Sequence, residues 1–364
     1  MNSPLQGFDT PHSCGPAASL ELQVSPKAPR GWDQFVLEHP RGSVYHCSAW
    51  IRVVSETYSF VPLFFSLANR GEKEILGGMP VARVDSLLTG RRLISYPFSD
   101  TCGPLVSCET HLQSIMDAVE TVRQRAKARF TEIRTLSPAV TDARPASYFL
   151  HTLDLTGTEA EIFSTFHKDS VQRRIRRARK LDIRLEKSGG EALRLFYRLH
   201  CQTRRRQGVP IQPFRFFEML WQILPATAQP SVYLARLGHT YIAGMIVIHF
   251  GKTAYYKFGA SDPEFFSSAV NQLLMWEAIR DAKQGGCTAF DFGRTSVSNP
   301  GLRAYKSRWG TKEHPLDYLQ LPRAGRSRSL TETSALHRGI RRIVRCLPIS
   351  VNRLAGELLY RHLA

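Results

Sequence analysis

Residues 232–292 leave the chain few folds to choose from. Three runs with strand pattern, 232–237, 242–250 and 253–258, lead into a helix at 267–284 and then a short strand at 290–292. Val270, Leu273, Leu274 and Ile279 give the helix an apolar stripe, and Gly285-Gly286 ends it. A helix that is apolar on one side, set among strands, predicts a mixed α/β layer.

The next stretch, residues 289–310, concentrates chemistry. Ala289, Phe290, Asp291 and Phe292 alternate, which sets the Asp291 carboxylate near the end of a strand expected to stop at Gly293. A polar turn containing Arg294 follows, then a helix-like segment in which Leu302, Tyr305 and Trp309 recur at three and four residues, with Lys306 among them. Carboxylate, guanidinium and ammonium fall within sixteen residues at the carboxyl end of a buried strand, where α/β folds commonly hold a ligand. Asp291 reads equally as a base or amine-orienting group and as a carboxylate paired with Arg294. Lys306 reads equally as positive charge for an oxyanion or substrate phosphate and as a surface lysine lying over Trp309. On strand 253–258, Tyr256 and Lys257 point to opposite sides, so only one of them faces a pocket.

The first half repeats the element order. Helices are expected near 32–36 and 49–54, strands at 60–67, 75–84 and 93–96, a helix at 117–129 and a strand at 132–136. A strand at 148–155 and helices near 159–166, 191–205 and 214–224 open the second half. With 364 residues the chain accommodates two ordinary domains. The expected division is a disordered leader at 1–27, domains at 28–148 and 149–322, and a basic helical tail at 323–364.

Charge narrows the partners. Lys and Arg number 49 against 31 Asp and Glu, a formal net charge of +18, so anionic partners are favoured. Seven of the basic residues lie between Lys168 and Lys180, beside a narrow stripe of Val171, Ile175 and Ala178. Arg173 and Arg177 share a face, and like charges four apart destabilise a helix unless an anion neutralises them. Arg173, Arg174 and Arg177 are therefore candidate phosphate ligands, against the alternative of a solvated face. A second cluster, Arg204 to Gln207, ends a helix, where cations also suit the helix dipole. The last 44 residues hold nine arginines and two acids around apolar stripes, a pattern of membrane-surface helices that equally suits packing on the domains.

Other chemistries lack their signatures. Seven dispersed cysteines without a C-x-x-C pair speak against a disulfide framework or a zinc site, and twelve histidines show no metal-like spacing, so no metal is expected. Metalloprotease, serine-hydrolase, P-loop and dinucleotide motifs are missing. The residues before Lys27 have no secretory core and the longest apolar run is about half a membrane span, so a cytoplasmic location is expected, extending to the inner face of the membrane if the tail binds there.

Phe-Asp-Phe-Gly-Arg at 290–294, the following N-x-G-L-x-x-Y-K-x-x-W-G, the basic run 168–180, Pro97-Phe98 with Cys102-Gly103-Pro104, and Arg-Arg-Arg-Gln-Gly-Val-Pro at 204–210 resemble the FemAB-like branch of the GNAT acyltransferase superfamily. The members in question are associated with exopolysaccharide and exosortase gene clusters. The resemblance implies tandem GNAT-like α/β (α+β) domains, each a mixed sheet flanked by helices. It also implies transfer of an acyl or aminoacyl group to an amine or hydroxyl of a sugar, cell-envelope or exopolysaccharide precursor. Catalysis then falls to Asp291, Arg294 and Lys306, with Arg206, Gln207, Tyr256, Asn271 and Trp309 joining the three helix arginines in substrate binding. The donor is acyl-CoA or aminoacyl-tRNA. The phosphate-binding turn of coenzyme A enzymes is replaced here by Gly259 to Ser267 with two acids, Asp262 and Glu264. An anionic small molecule or lipid-linked glycan, tRNA and an anionic membrane surface are the partners these features admit. The competing class is a non-catalytic polyanion- or membrane-binding protein on the same fold.

Overall fold

A computed structural model describes residues 20–136, 146–322 and 335–362, which form two compact units. The first contains 20–136, 146–147, 316–322 and 361–362; the second contains 148–315 and 335–360.

In the first unit the chain runs through β1 (Leu20–Ser25), α1 (Trp32–Glu38), α2 (Ser48–Tyr58), β2 (Val61–Asn69), β3 (Gly77–Ser86), β4 (Gly90–Ile94), β5 (Leu105–Val106), α3 (Glu109–Arg125) and β6 (Thr131–Leu136). Strands β1 to β4 pair antiparallel in order, and β6 returns parallel to β4 after the α3 crossover. Ile115 and Val119 of α3 bury against Phe65, Val81, Leu93 and Ile133, the inward positions of the strands. Strand β1 corrects the expectation of a disordered leader reaching residue 27. Its backbone pairs with β2 from Leu20 opposite Asn69 to Ser25 opposite Phe64, and Leu22 packs on the core. The remainder of that leader, 1–19, lies outside the described residues. Cys47, Cys102, Cys201, Cys287 and Cys346 carry free thiols.

The second unit begins with β7 (Tyr148–Asp154) and α4 (Glu159–Thr165). The expected basic helix is two pieces, a wide π turn at Lys168–Gln172 and α5 (Arg173–Ala178). Then come β8 (Ile183–Ser188), α6 (Leu193–Gln207), α7 (Phe214–Ile223), β9 (Gln229–Leu237), β10 (Thr240–Phe250), β11 (Thr253–Ser261), α8 (Val270–Gln284), β12 (Ala289–Ser296) and α9 (Pro300–Ser307). The sheet order is β7, β12, β11, β10, β9, β8, and β11–β12 is the parallel pair, again joined by a helix, α8. One face of α8 buries Leu273, Trp276 and Ile279 against Phe166, Phe290, Phe292 and Trp309. Fully burying a side chain of this size contributes about 2–3 kcal/mol.

Strand β13 (Lys312–Leu321) carries the chain out of this unit, and its Leu316–Leu321 pair antiparallel with β6. The expected domain end at 322 thus moves to Pro315. Helices α10 (Ala335–Cys346) and α11 (Ile349–Leu359) belong to the second unit, so the tail is not a separate element.

Candidate active site

The site grows out of how β11 and β12 part. They pair only from Thr253 opposite Ala289 to Tyr255 opposite Asp291. Beyond that point β11 follows β10 to Ser261, and β12 follows β7 to Ser296, leaving a wedge at the carboxyl ends of a parallel pair. Both strands are irregular there. On β11, Tyr256 pairs with Val247 and Phe258 with Ile246, so Lys257 is the extra residue of a bulge. On β12 the register shifts between Asp291 and Arg294, with Gly293 at φ +73°. Gly293 suits that left-handed backbone because it has no Cβ. The strand therefore does not stop at Gly293, as the sequence suggests, but bends there and runs on to Ser296.

Two of the expected catalytic residues hold this bend. Asp291 is buried and its Oδ1 accepts the Gly293 N–H at 2.6 Å. Lys306, on α9, is 5% exposed, and its Nζ donates to the carbonyls of Gly293 (2.7 Å) and Arg294 (2.9 Å). Lys306 is thus neither a surface lysine nor a stem lying over an indole. It is an ammonium fixed beside the wedge by charge-assisted hydrogen bonds. Arg294 lies over the Tyr148 ring, 4.3 Å from its centre.

The wall formed by β11 gathers a second group. Tyr256 is half-buried on the α8 side with Tyr305 and Phe265. Burial, reinforced by the nearby Tyr305 phenol, raises its pKa, so it stays protonated at neutral pH. A Cβ built on Gly259 would collide with Tyr256 Oη, so the glycine leaves the space this phenol occupies. At the end of the strand, Arg206 donates to the Ser261 carbonyl at 3.0 Å, Asn271 donates to Ser261 Oγ at 3.2 Å, and Thr203 Oγ1 accepts the Ser261 N–H at 3.1 Å. Arg206 also lies over the Phe266 ring.

Other expected ligands fall elsewhere. Trp309 is fully buried between Phe166 and Phe292 and is a core residue, which corrects its assignment to substrate binding. Gln207 is exposed, and its carbonyl accepts from Arg341 of α10. Arg173, Arg174 and Arg177 are exposed on α5, which packs on α8 through Ile175 and Ala178; Arg173 pairs with Asp169 at 3.0 Å. Two residues near Lys306 escape a reading of the sequence: His151 altogether, and Tyr305 except as a neighbour in the helical spacing. His151 on β7 is fully buried, 3.8 Å from Glu313. Burial first, then the Lys306 charge, lower its pKa to about 4 against an opposing pull from Glu313, so it is neutral. No motif marks it, since β7 reads as an ordinary strand.

The approach to α8 bears on the donor. Asp262 Oδ1 accepts the Glu264 N–H (3.0 Å), capping a short 3₁₀ turn, and Ser268 Oγ accepts the Val270 N–H (3.3 Å). The amides at this helix start are thus in part engaged, and two acids, Asp262 and Glu264, precede them, a poor setting for a pyrophosphate.

The wedge thus lies between parallel strands, next to the bend that Lys306 holds and the strand that carries Tyr256. Residues 166–307 match the acetyltransferase (GNAT) domain family. A lipid II:glycine glycyltransferase of Staphylococcus saprophyticus is 33% identical over 78 residues, 20% of this chain and 19% of its own length. The Staphylococcus aureus protein of the same name is 33% identical over 77 residues, 20% and 18% of the two chains. The chain thus spans about a fifth of the curated relatives it matches. Among solved structures, FemX has a TM-score of 0.63 at 16% identity, over 82% of this chain and 96% of FemX. A tandem GNAT protein from the clavulanic acid biosynthesis pathway has a TM-score of 0.52 at 9% identity, over 84% and 100%. The C-terminal domain of a putative lysylphosphatidylglycerol synthetase from Agrobacterium fabrum has 0.52 at 14%, over 80% and 92%. These structural likenesses establish the fold.

Proposed function

We propose that the protein is an acyltransferase that moves an aminoacyl group from an ester donor to an amine of a cell-envelope or exopolysaccharide precursor. The observation that carries this reading is the wedge between β11 and β12, with the Tyr256 phenol on one wall and the Lys306 ammonium behind the other. The acceptor nitrogen attacks the ester carbonyl, a C–N bond forms, and charge develops on the carbonyl oxygen. The field of Lys306 stabilises that oxyanion. Collapse breaks the C–O bond; Tyr256 gives its proton to the departing oxygen and regains one from the attacking nitrogen. The products are an amide and a free hydroxyl.

An aminoacyl-tRNA is favoured as donor over acyl-CoA. The start of α8 is unsuited to a pyrophosphate, whereas the exposed arginines of α5 offer phosphate contacts to an RNA backbone. The reaction then belongs in the cytoplasm, where such esters are made. The names of the Staphylococcus relatives lend support to a lipid-linked acceptor.

Single-turnover transfer of label from a pool of charged tRNA to an envelope lipid extract tests the reading. Tyr256→Phe should slow the transfer step about 100–10,000-fold, the range for losing one positioned acid, with the amount of donor bound unchanged. Wild-type transfer unaffected by Tyr256→Phe would remove the phenol from the mechanism. An absence of transfer from any ester or thioester donor would leave a binding protein on a GNAT fold.

A further inference from the structure

The tail presents two different surfaces. One side of α11 is docked: Asn352 is fully buried, its Oδ1 accepting the Ile211 N–H (3.3 Å) and its Nδ2 donating to Val209 O (3.5 Å). One turn on, a Cβ at Gly356 would collide with the Ile211 carbonyl, and beyond it Tyr360 Oη donates to Pro210 O (3.0 Å) and accepts from Arg204. Val344 of α10 is likewise buried. The opposite side is apolar and bare. Val351, Leu354 and Leu358 recur at three and four residues and are 45%, 58% and 59% exposed, and Ile343 of α10 is 63% exposed. Arg342, Arg345 and Arg361 are exposed along the same segment, and among residues 341–362 five arginines face one acid, Glu357.

We propose that this outer face of α10 and α11 is a docking surface for an anionic phospholipid bilayer, on which it lies flat. The docked side of α11 is polar and glycine-lined and that of α10 buries Val344, so Leu354 and Leu358 take no part in the hold on the unit. That leaves aliphatic side chains outward, ringed by guanidinium groups. Arginines snorkel to phosphate headgroups while the leucines enter the acyl boundary. A protein partner fits less well, because the outer stripe carries no aromatic anchor of the kind that dominates protein interfaces. Among the described residues no helix is long and apolar enough to cross a membrane. The first unit has an exposed apolar pair of its own, Leu87 (96% exposed) and Leu88 (69%), in the turn between β3 and β4.

The proposal stands independently of the acyl-transfer reading. Its test is flotation of the full chain with vesicles of phosphatidylcholine alone and with one-third phosphatidylglycerol. Binding is expected only with the anionic lipid. The double variant Leu354→Asp/Leu358→Asp should lose at least tenfold in affinity with an unchanged melting temperature, because both side chains are exposed. Arg342→Ala/Arg345→Ala should weaken binding and flatten its salt dependence. Equal binding by wild type and the Leu354→Asp/Leu358→Asp variant would overturn the proposal and reduce the contact to bulk charge. So would concentration-dependent dimerisation in sedimentation that the same variant abolishes, since the occupant would then be a second copy of the chain.

Discussion

At the scale of single residues, Lys306 carries two burdens. It supplies positive charge beside the wedge and ties the Gly293 and Arg294 carbonyls to α9. Lys306→Met should therefore lower transfer by at least 100-fold and also cost about 1–3 kcal/mol of stability, since it strands two partly buried acceptors. Urea unfolding alongside single-turnover rates separates the two effects; a variant with full activity would exclude the charge from the reaction. Gly259→Ala is the cleaner probe of the phenol. Its new methyl must push Tyr256 aside, so transfer should fall as for Tyr256→Phe while the unfolding midpoint shifts little, the obstacle being the far end of a side chain rather than backbone. That Asp291, Arg294 and Lys306 gather around one strand and the turn after it is legible from alternation and spacing. The use of Asp291 and Lys306 to brace a bulge is not, because a bulge is decided by pairing with β7 and β11, which no local pattern records. Trp309 shows the converse error: helical spacing beside Lys306 suggests a pocket wall, yet the ring sits in the core between two phenylalanines.

At the scale of elements, the helices and inner strands are readable because each carries its own periodicity. Strands β8 and β13 are not. The first alternates only at Ile183 and Leu185 before turning polar, and the second has His314-Pro315 near its start, so their strand conformation owes more to neighbours than to composition. Helix α5 makes a separable prediction. Its arginines sit on the exposed side while Ile175 and Ala178 anchor it to α8, so neutralising Arg173, Arg174 and Arg177 together should leave folding intact. The same change should weaken binding to any tRNA and reduce the slope of log affinity against log salt by about 2–3, near one unit for each phosphate left without its arginine. Unchanged slopes in filter binding would assign α5 to the solvated surface. In α11, Gly356→Ala should destabilise the docked tail by about 1–3 kcal/mol, because the methyl meets the Ile211 backbone carbonyl and cannot be accommodated by a rotamer. Limited proteolysis of the tail is the readout, and an unaltered cleavage rate would count against the docking.

At the scale of the whole molecule, both units place a helix crossover between parallel strands, β4–α3–β6 and β11–α8–β12, although the two halves share no visible sequence repeat. The repetition is legible as an order of elements, and the outer limits of the units are not: β1 alternates at Leu20, Leu22 and Val24 but is only six residues long, and β13 opens on a polar run with Pro315. Each unit also buries a histidine. Burial holds His46 and His151 at about 4, against an ordinary value of 6.5. Both are neutral in the fold, while the unfolded chain protonates them below pH 6.5. The unfolded state binds more protons in that window, so their contribution is full above pH 6.5 and is lost as pH falls towards 4, at up to about 1.4 kcal/mol per pH unit for each histidine. Urea midpoints should fall between pH 7 and pH 5, and His151→Asn should lessen that fall; an identical pH slope in the variant would contradict the assignment.

The central claim is that the wedge receives an aminoacyl ester and not a coenzyme A thioester. It is tested most directly by equilibrium binding of labelled acetyl-CoA, charged tRNA and uncharged tRNA to the full chain at low and moderate salt. The account predicts no saturable acetyl-CoA binding and a preference for charged over uncharged tRNA that persists as salt rises. Saturable acetyl-CoA binding that tRNA does not displace, or equal and steeply salt-dependent binding of both tRNAs, would contradict it.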